Sequence, residues 1–426
     1  MRPGARQQAA IEILSTLAHR RRPAADAVKD WMLSHRFAGS KDRAAIGDLV
    51  FGALRWKQSS AWRMGADEPR AWVWGALRWG FGESAEAIEQ SCYNDPHAPA
   101  PPSEAERTAL QTGSLDGAPA WVAGDYPEWL EQSFISAFGE TRAEEGAALA
   151  APAPLDLRAN TLKTTREKLI AALAQSPKLK QAPEPSRFAP EGVRIPWEQG
   201  RTFPWGAEQS FLKGWFEVQD EGSQIAALMC GAEAGMQIAD VCAGGGGKSL
   251  ALAAAMGGKG QIYAFDVDSR RIAPLKQRAD RAGAHNIQIR TPLREADALA
   301  DLRGKMDVVL VDAPCTGSGT WRRNPDAKWR LRPNALKQRL EEQEQALALA
   351  EPLVKPGGRL VYVTCSVLPE ENHAQAEAFA AAHPDFTIAP LDGCEIPGQW
   401  RGGMVQMTPL QTGCDGFFVA ALERRA

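Results

Sequence analysis

The stretch Asp240–Ser249, DVCAGGGGKS, decides how this chain is read. An apolar run, QIADV, leads into it and a helical stretch continues to about residue 257, so the four glycines Gly244–Gly247 fall where a strand turns into a helix. Glycine lets a ligand approach the backbone closely, and the helix start beyond it offers N–H groups that no carbonyl of the same helix takes. The G-x-G-x-x-S spacing is an imperfect dinucleotide fingerprint and not a Walker A loop. A plain tight turn is the competing reading.

Working outward, apolar strands alternate with helical stretches: QIYAFDVD, a helix to about 282, NIQIRTP, MDVVLVDAPC and GRLVYVTCS. That alternation predicts a doubly wound, mostly parallel α/β sheet with helices on both faces. Three acids follow successive strands. Asp266 closes YAFDVD, twenty-two positions past Gly244, where a carboxylate would accept ribose hydroxyls; the neighbouring Asp268 is not separated from it by spacing. Asp297, in READAL, follows the next strand. Taken singly each is a common helix cap or loop residue. The fourth strand ends in Asp312, Pro314 and Cys315 and the fifth in Cys365, at the carboxyl edge where such sheets bind ligands. A free cysteine is more often a small buried apolar residue, and that remains the alternative for both.

A chain of 426 residues implies two or three compact units. Upstream of the sheet, AAIEILSTLA, ADAVKDWMLS, KDRAAIGDLVFGALRW and RAWVWGALRWG space apolar residues three and four apart, as in a small all-α bundle. NDPHAPAPPSE interrupts them as a surface loop, and DYPEWLEQSFISAFG leads out of the bundle. From about 150, PLDLRANTLKTT and TREKLIAALAQ read as a strand and a helix of a small α+β segment. The expected boundaries are 1–132, 133–228 and 229–426.

No apolar run approaches the roughly 18 residues of a membrane helix, so no membrane partner is expected. The seven cysteines (Cys92, Cys230, Cys242, Cys315, Cys365, Cys394, Cys414) are odd in number and never form C-x-x-C. This predicts a reduced, cytoplasmic protein without disulfides or a metal. A net charge of -3 argues against nucleic-acid binding unless the basic residues are locally dense. Residues 1–56 hold ten Lys/Arg against five Asp/Glu, and WRRNPDAKWRLR after Cys315 interleaves Arg322, Arg323, Lys328, Arg330 and Arg332 with Trp321 and Trp329. Cations beside aromatic faces suit phosphate contact and base stacking; buried tryptophans with ordinary ion pairs are the alternative.

DVCAGGGGKS, DAPCTGSGTWRRNPDAKWR and LVYVTCSVLPEEN, in this order, resemble the motifs of the Sun/Nop family of RNA cytosine-5 methyltransferases, and DGFFVAALERR resembles its closing strand. The N-terminal bundle, notably KDRAAIGDLVFGALRW, resembles the NusB-like RNA-binding domain of the family's bacterial RsmB-like (Sun) branch. The chain departs from the family at Gly244-Gly245, where Ala-Pro is usual.

The resemblance implies S-adenosyl-L-methionine as cofactor, held by Cys242, Ala243, Gly244, Gly245, Gly246, Gly247 and Lys248, with Asp266 on the ribose, Asp297 on the adenine and Arg271 nearby. Asp312 would lie between cofactor and base, Cys365 would be the nucleophile, and Cys315 would help release product. Lys248 would touch the base or the cofactor carboxylate, or would face solvent. Arg322, Arg323, Lys328 and Arg330 would contact RNA, with small-subunit (16S) ribosomal RNA expected and transfer RNA the alternative; a monomer is expected. Carbon 5 of cytosine is a poor nucleophile, so a thiolate must first add to carbon 6; carbon 5 then takes the methyl group, and loss of its proton expels the sulfur. Stabilising that addition by an acid at ring nitrogen 3 would need Asp312 to be protonated, as burial can arrange.

A nicotinamide oxidoreductase would share the sheet but leave both cysteines without a role. A DNA cytosine methyltransferase would use the Pro-Cys pair, here Cys315. A ribosome-assembly factor that had lost catalysis would keep the fold alone.

Overall fold

A computed structural model describes residues 1–19, 22–292, 297–391 and 395–426. Cys394, Arg20, Arg21 and the first three residues of READAL lie outside them. The chain divides into two compact units, Met1–Ala151 with Trp321–Arg332, and Pro152–Thr320 with Pro333–Ala426. The helices Glu131–Phe138 and Arg142–Ala150 belong to the first unit. So does the twelve-residue segment Trp321–Arg332, which sequence order had assigned to the sheet domain.

The first unit is all helical. Pro3–His19, Ala24–Ser34, Ser40–Arg55, Lys57–Met64 and Pro69–Gly75 bury Ile13, Leu14, Ile46, Val50, Val73 and Trp74 in one core. The helix Glu104–Thr112 starts with a capping box: the Ser103 hydroxyl accepts from the Glu106 N–H, while the Glu106 carboxylate accepts from the Ser103 N–H. Past Gly75 the last helix of the core continues as a π-turn, Ala76–Gly80. Gly80 lies against the Trp56 ring, where an added Cβ would fall 2.2 Å from ring carbons.

The second unit contains two sheets. The smaller runs β2-β3-β1-β4, all antiparallel, from β1 (Leu155–Ala159), β2 (Glu184–Pro185), β3 (Gly192–Ile195) and β4 (Phe216–Val218). The helix Arg166–Ala174, capped by Thr165, buries Leu169 and Leu173 against Leu157, Val193 and Phe216 of this sheet.

The larger sheet is built from β5 (Gln237–Asp240), β6 (Gln261–Phe265), β7 (Ile287–Arg290), β8 (Met306–Asp312), β9 (Val354–Thr364), β10 (Phe386–Ala389), β11 (Gln399–Arg401), β12 (Met404–Met407) and β13 (Phe417–Arg424). Five strands, β7-β6-β5-β8-β9, are parallel; β13 runs antiparallel to β9 and pairs in turn with β12 and β10. The parallel strands are apolar on both faces, because two clusters bury them, one around Ile238, Leu252, Ile262 and Leu310 and the other around Ala239, Val309, Val311 and Tyr362. Strand order reverses between β5 and β8, so the loops after β5 and β8 flank the switch point, the place where sheets of this kind bind ligands.

Candidate active site

Asp240 ends β5, and its carboxylate accepts a 2.6 Å hydrogen bond from the Ser249 hydroxyl. Its other oxygen, Oδ1, is buried without a partner among the described residues. Burial pushes this carboxyl up to about 7.

The glycines that follow make the turn the sequence predicted. Gly244 (φ +49°) and Gly246 (φ +81°) adopt the left-handed region, and Gly246 leads into the helix Gly247–Ala255. Gly246 also admits no side chain, since a Cβ would lie 2.1 Å from Leu275 Cδ1.

Asp266 is fully buried, and its oxygens are already engaged. Oδ2 accepts from the Gly244 N–H at 2.9 Å and lies 3.5 Å from the Arg271 guanidinium, while Oδ1 accepts from the Asp268 N–H at 2.9 Å. Ribose hydroxyls would have to displace the Gly244 contact or the half-exposed Arg271. Asp297 instead accepts from the Leu299 N–H and pairs with Arg303 at 2.9 Å. Burial raises the Cys242 thiol pKa strongly, so this cysteine remains a neutral wall of the turn.

Lys248 does not face solvent. It is 7% exposed, with its Nζ 2.7 Å from Asp312 Oδ2 and 5.1 Å from the centre of the Phe417 ring. Burial lowers its pKa, but Asp312 and then Cys365 and Asp240 outweigh burial and raise it overall, so it stays an ammonium. Asp312 is about a third exposed with this cation as its partner, so the apolar burial expected of it is not found.

One strand further, Cys315 and Cys365 meet with their sulfurs 3.3 Å apart. The contact with Cys365, and then burial, raise the Cys315 pKa well above that of an ordinary thiol, and either sulfur can be the donor across the 3.3 Å contact.

Residues that sequence reasoning passed over hold these loops. Glu371 is fully buried; its Oε1 accepts from the Thr316 N–H at 2.8 Å and from Gln343 Nε2 at 3.0 Å, and its Oε2 accepts from the Thr316 hydroxyl. Gln343 also donates to the Pro314 carbonyl at 2.9 Å, so both sides of Cys315 are anchored. The Gly319 N–H donates to the Cys365 carbonyl at 3.0 Å, fixing the second sulfur's backbone. The sequence offered only a weak signal for Glu371, two acids in LPEEN soon after the apolar strand Val354–Thr364.

Two of the four basic residues expected to contact RNA are corrected by the structure. Lys328 is 1% exposed, with its Nζ donating to the carbonyls of Arg55 at 2.7 Å and Asp125 at 2.6 Å. Burial brings its pKa down to about 7. Arg322 is also buried, and its carbonyl accepts from Arg55 at 2.8 Å. Arg55, in turn, is one of the cations counted as a basic surface in residues 1–56. Both tryptophans of the segment pack inward: Trp321 stacks on Phe134 with ring centres 6.1 Å apart, and Trp329 donates to the Leu54 carbonyl at 2.6 Å. Arg323 is partly buried, and Arg330 is exposed and paired with Asp326 at 2.9 Å.

Among the described residues no group of His, Cys, Asp or Glu could hold a metal ion, and no helix is long and apolar enough to cross a membrane.

The chain is similar to known proteins along most of its length. The model of the family described as 16S rRNA methyltransferase RsmB/F matches residues 227–423, and one described as a Methyltr_RsmF/B-like, ferredoxin-like domain matches 126–198. A probable ribosomal RNA small subunit methyltransferase B of Synechocystis is 35% identical over 70% of this chain and 67% of its own length. A protein of the same description from Bacillus subtilis is 31% identical over 70% of this chain and 66% of its own length. The matched part thus spans about two thirds of these relatives. A crystal structure of a methyltransferase homolog from Pyrococcus horikoshii superposes with a TM-score of 0.60 at 27% identity, over 73% of this chain and 99% of that one.

Proposed function

Because this chain belongs to the RsmB/F family of S-adenosylmethionine-dependent RNA methyltransferases, we propose that it methylates carbon 5 of a cytosine in small-subunit ribosomal RNA through a covalent bond from Cys365 to carbon 6. The observation that carries this reading is the pair of sulfurs 3.3 Å apart at the ends of neighbouring parallel strands, beside the Lys248–Asp312 ion pair.

The residues present suit the cofactor. Four glycines give it an open backbone, Gly247 has nothing within 4 Å of where a side chain would stand, and the buried Asp240 Oδ1, without a partner among the described residues, is an acceptor beneath the turn. Cys242 to Lys248, with Asp266, Arg271 and Asp297, would hold it; when bound it supplies an electrophilic methyl group on a sulfonium.

The protein's own groups do the rest. Cys365, its sulfur 3.3 Å from that of Cys315, adds as a thiolate to carbon 6, and the ring's electrons move toward nitrogen 3 and oxygen 2. Lys248, kept cationic by Asp312, is a donor for that growing negative charge, and Asp312 positions it. Carbon 5 takes the methyl group, its proton passes to a water molecule that enters beside Cys315, and the carbon–sulfur bond breaks to return the Cys365 thiolate. Glu371 and Gln343 act only by positioning the loop that carries Cys315.

Mechanism-based trapping tests the chemistry. RNA containing 5-fluorocytosine should give a covalent adduct that Cys365→Ala abolishes, and Cys315→Ala should accumulate an adduct with unmodified RNA. An adduct that survives Cys365→Ala and disappears in Cys315→Ala would reverse the roles. Bisulfite sequencing of RNA from a deletion strain and its parent should show one protected cytosine lost from small-subunit ribosomal RNA. Loss from transfer RNA instead would overturn the substrate.

A further inference from the structure

Within the helical unit a cavity of about 260 Å3 opens between the tryptophans Trp72 and Trp329, with Arg22, Lys57, Arg330 and Arg332 around it. The lining includes one acid, Asp326, which is already committed: it pairs with Arg330 at 2.9 Å and accepts from the Ala24 N–H at 3.2 Å. Arg22 is paired with Asp30, yet its Nε is buried without a partner among the described residues.

The other two cations are poorly neutralised. Lys57 Nζ reaches its nearest carboxylate, the outward-lying Asp67, at 3.9 Å, and that oxygen also accepts from Trp72 Nε1 at 2.8 Å. The same Nζ lies 4.3 Å from the Trp72 ring centre and 5.4 Å from that of Trp329. Among the described residues Arg332 donates to the carbonyls of Trp329 and Leu331, at 3.2 and 3.1 Å. Two tryptophans with weakly neutralised cations beside them line a cavity whose chemistry suits a planar ring joined to an anion.

Resting on the reading that RNA is the substrate, we propose that this pocket takes one unpaired nucleotide of that RNA, its base against the tryptophans and its phosphate on Lys57 and Arg332. The volume, below the roughly 300–1,000 Å3 of ordinary ligand pockets, fits a single nucleotide and excludes a duplex. An acidic peptide would satisfy the cations but would leave the tryptophan faces unused.

The test uses the full chain and a labelled single-stranded oligocytidylate, with anisotropy read over a range of salt. Arg332→Gln should weaken binding roughly 5- to 10-fold and lower the log–log salt slope by about 0.7, the value of one phosphate contact on a single strand. Arg22→Gln with Arg332→Gln should lower it further. Trp329→Ala should weaken binding roughly 5- to 100-fold with less change in slope, since stacking is not ionic. Because Trp329 is also part of the core, the exposed Arg332 carries the decision.

Unchanged affinity and slope in both arginine variants overturn the proposal, as does displacement of the oligocytidylate by oligoglutamate at equal charge. Trapping with 5-fluorocytosine RNA keeps the two readings apart. Normal trapping and binding by the arginine variants sinks the pocket and leaves the enzyme, whereas weakened binding by those variants without any trapping in the parent sinks the chemistry and leaves the pocket.

Discussion

Asp240 carries a pH dependence whose sign follows from its burial. A carboxyl raised from 3.8 to about 7 makes the folded chain hold a proton that the unfolded chain has released between those values. Stability therefore falls as pH rises from about 4 to about 7, by roughly 4 kcal/mol, and stays at the lower level above that. Asp240→Asn keeps an oxygen for the Ser249 hydroxyl and removes the titration. Its thermal midpoint should exceed that of the parent at pH 8 and lose the parent's slope between pH 5 and 7; a slope unchanged in the variant would assign it to another group. Lys248 shows why individual roles were only half legible. Its place in the motif was visible, but whether it met base, cofactor or solvent depended on Asp312, sixty-four positions away, coming within 2.7 Å.

At the scale of elements the sequence was most informative where the pattern was strongest. All five parallel strands lie where the apolar runs put them, because the central ones are buried on both faces. The loops that join them were legible as positions but not as a hydrogen-bonded set. Gly319 illustrates this: its N–H holds the Cys365 carbonyl, its own carbonyl accepts from the Gly416 N–H at 2.9 Å, and an added Cβ would fall 2.1 Å from the Gly416 oxygen. Since the obstacle is backbone, Gly319→Ala should destabilise by roughly 1–3 kcal/mol or more. It should also lose methyl transfer at temperatures where circular dichroism still reports a folded protein. Full activity in that variant would mean that the two loops can part without moving Cys365.

For the molecule as a whole, the reading of WRRNPDAKWRLR went astray for a physical reason. A basic, tryptophan-rich sequence looks the same whether it faces a polyanion or fills a helical core whose carbonyls need donors. The ammonium of Lys328 satisfies two such carbonyls. Lys328→Met should accordingly lower stability by roughly 2–5 kcal/mol by leaving both unmet, while RNA affinity measured well below the melting temperature stays at the parent's value. Weaker RNA binding at an unchanged melting temperature would show instead that this side chain reaches the nucleic acid.

The same segment bears on how the gene can be divided. A break between codons 151 and 152 looks natural, yet it yields two damaged products. One carries Trp321, Lys328 and Trp329 with nothing to bury them, and the other lacks the plug that caps Arg55 and Asp125. Supplying the dodecapeptide Trp321–Arg332 in trans should raise the melting temperature of the Met1–Ala151 fragment, and a flat titration would refute this. The helical portion is thus a discontinuous fold completed by a later exon-sized piece of its own chain, and it cannot be shuffled between proteins as a cassette.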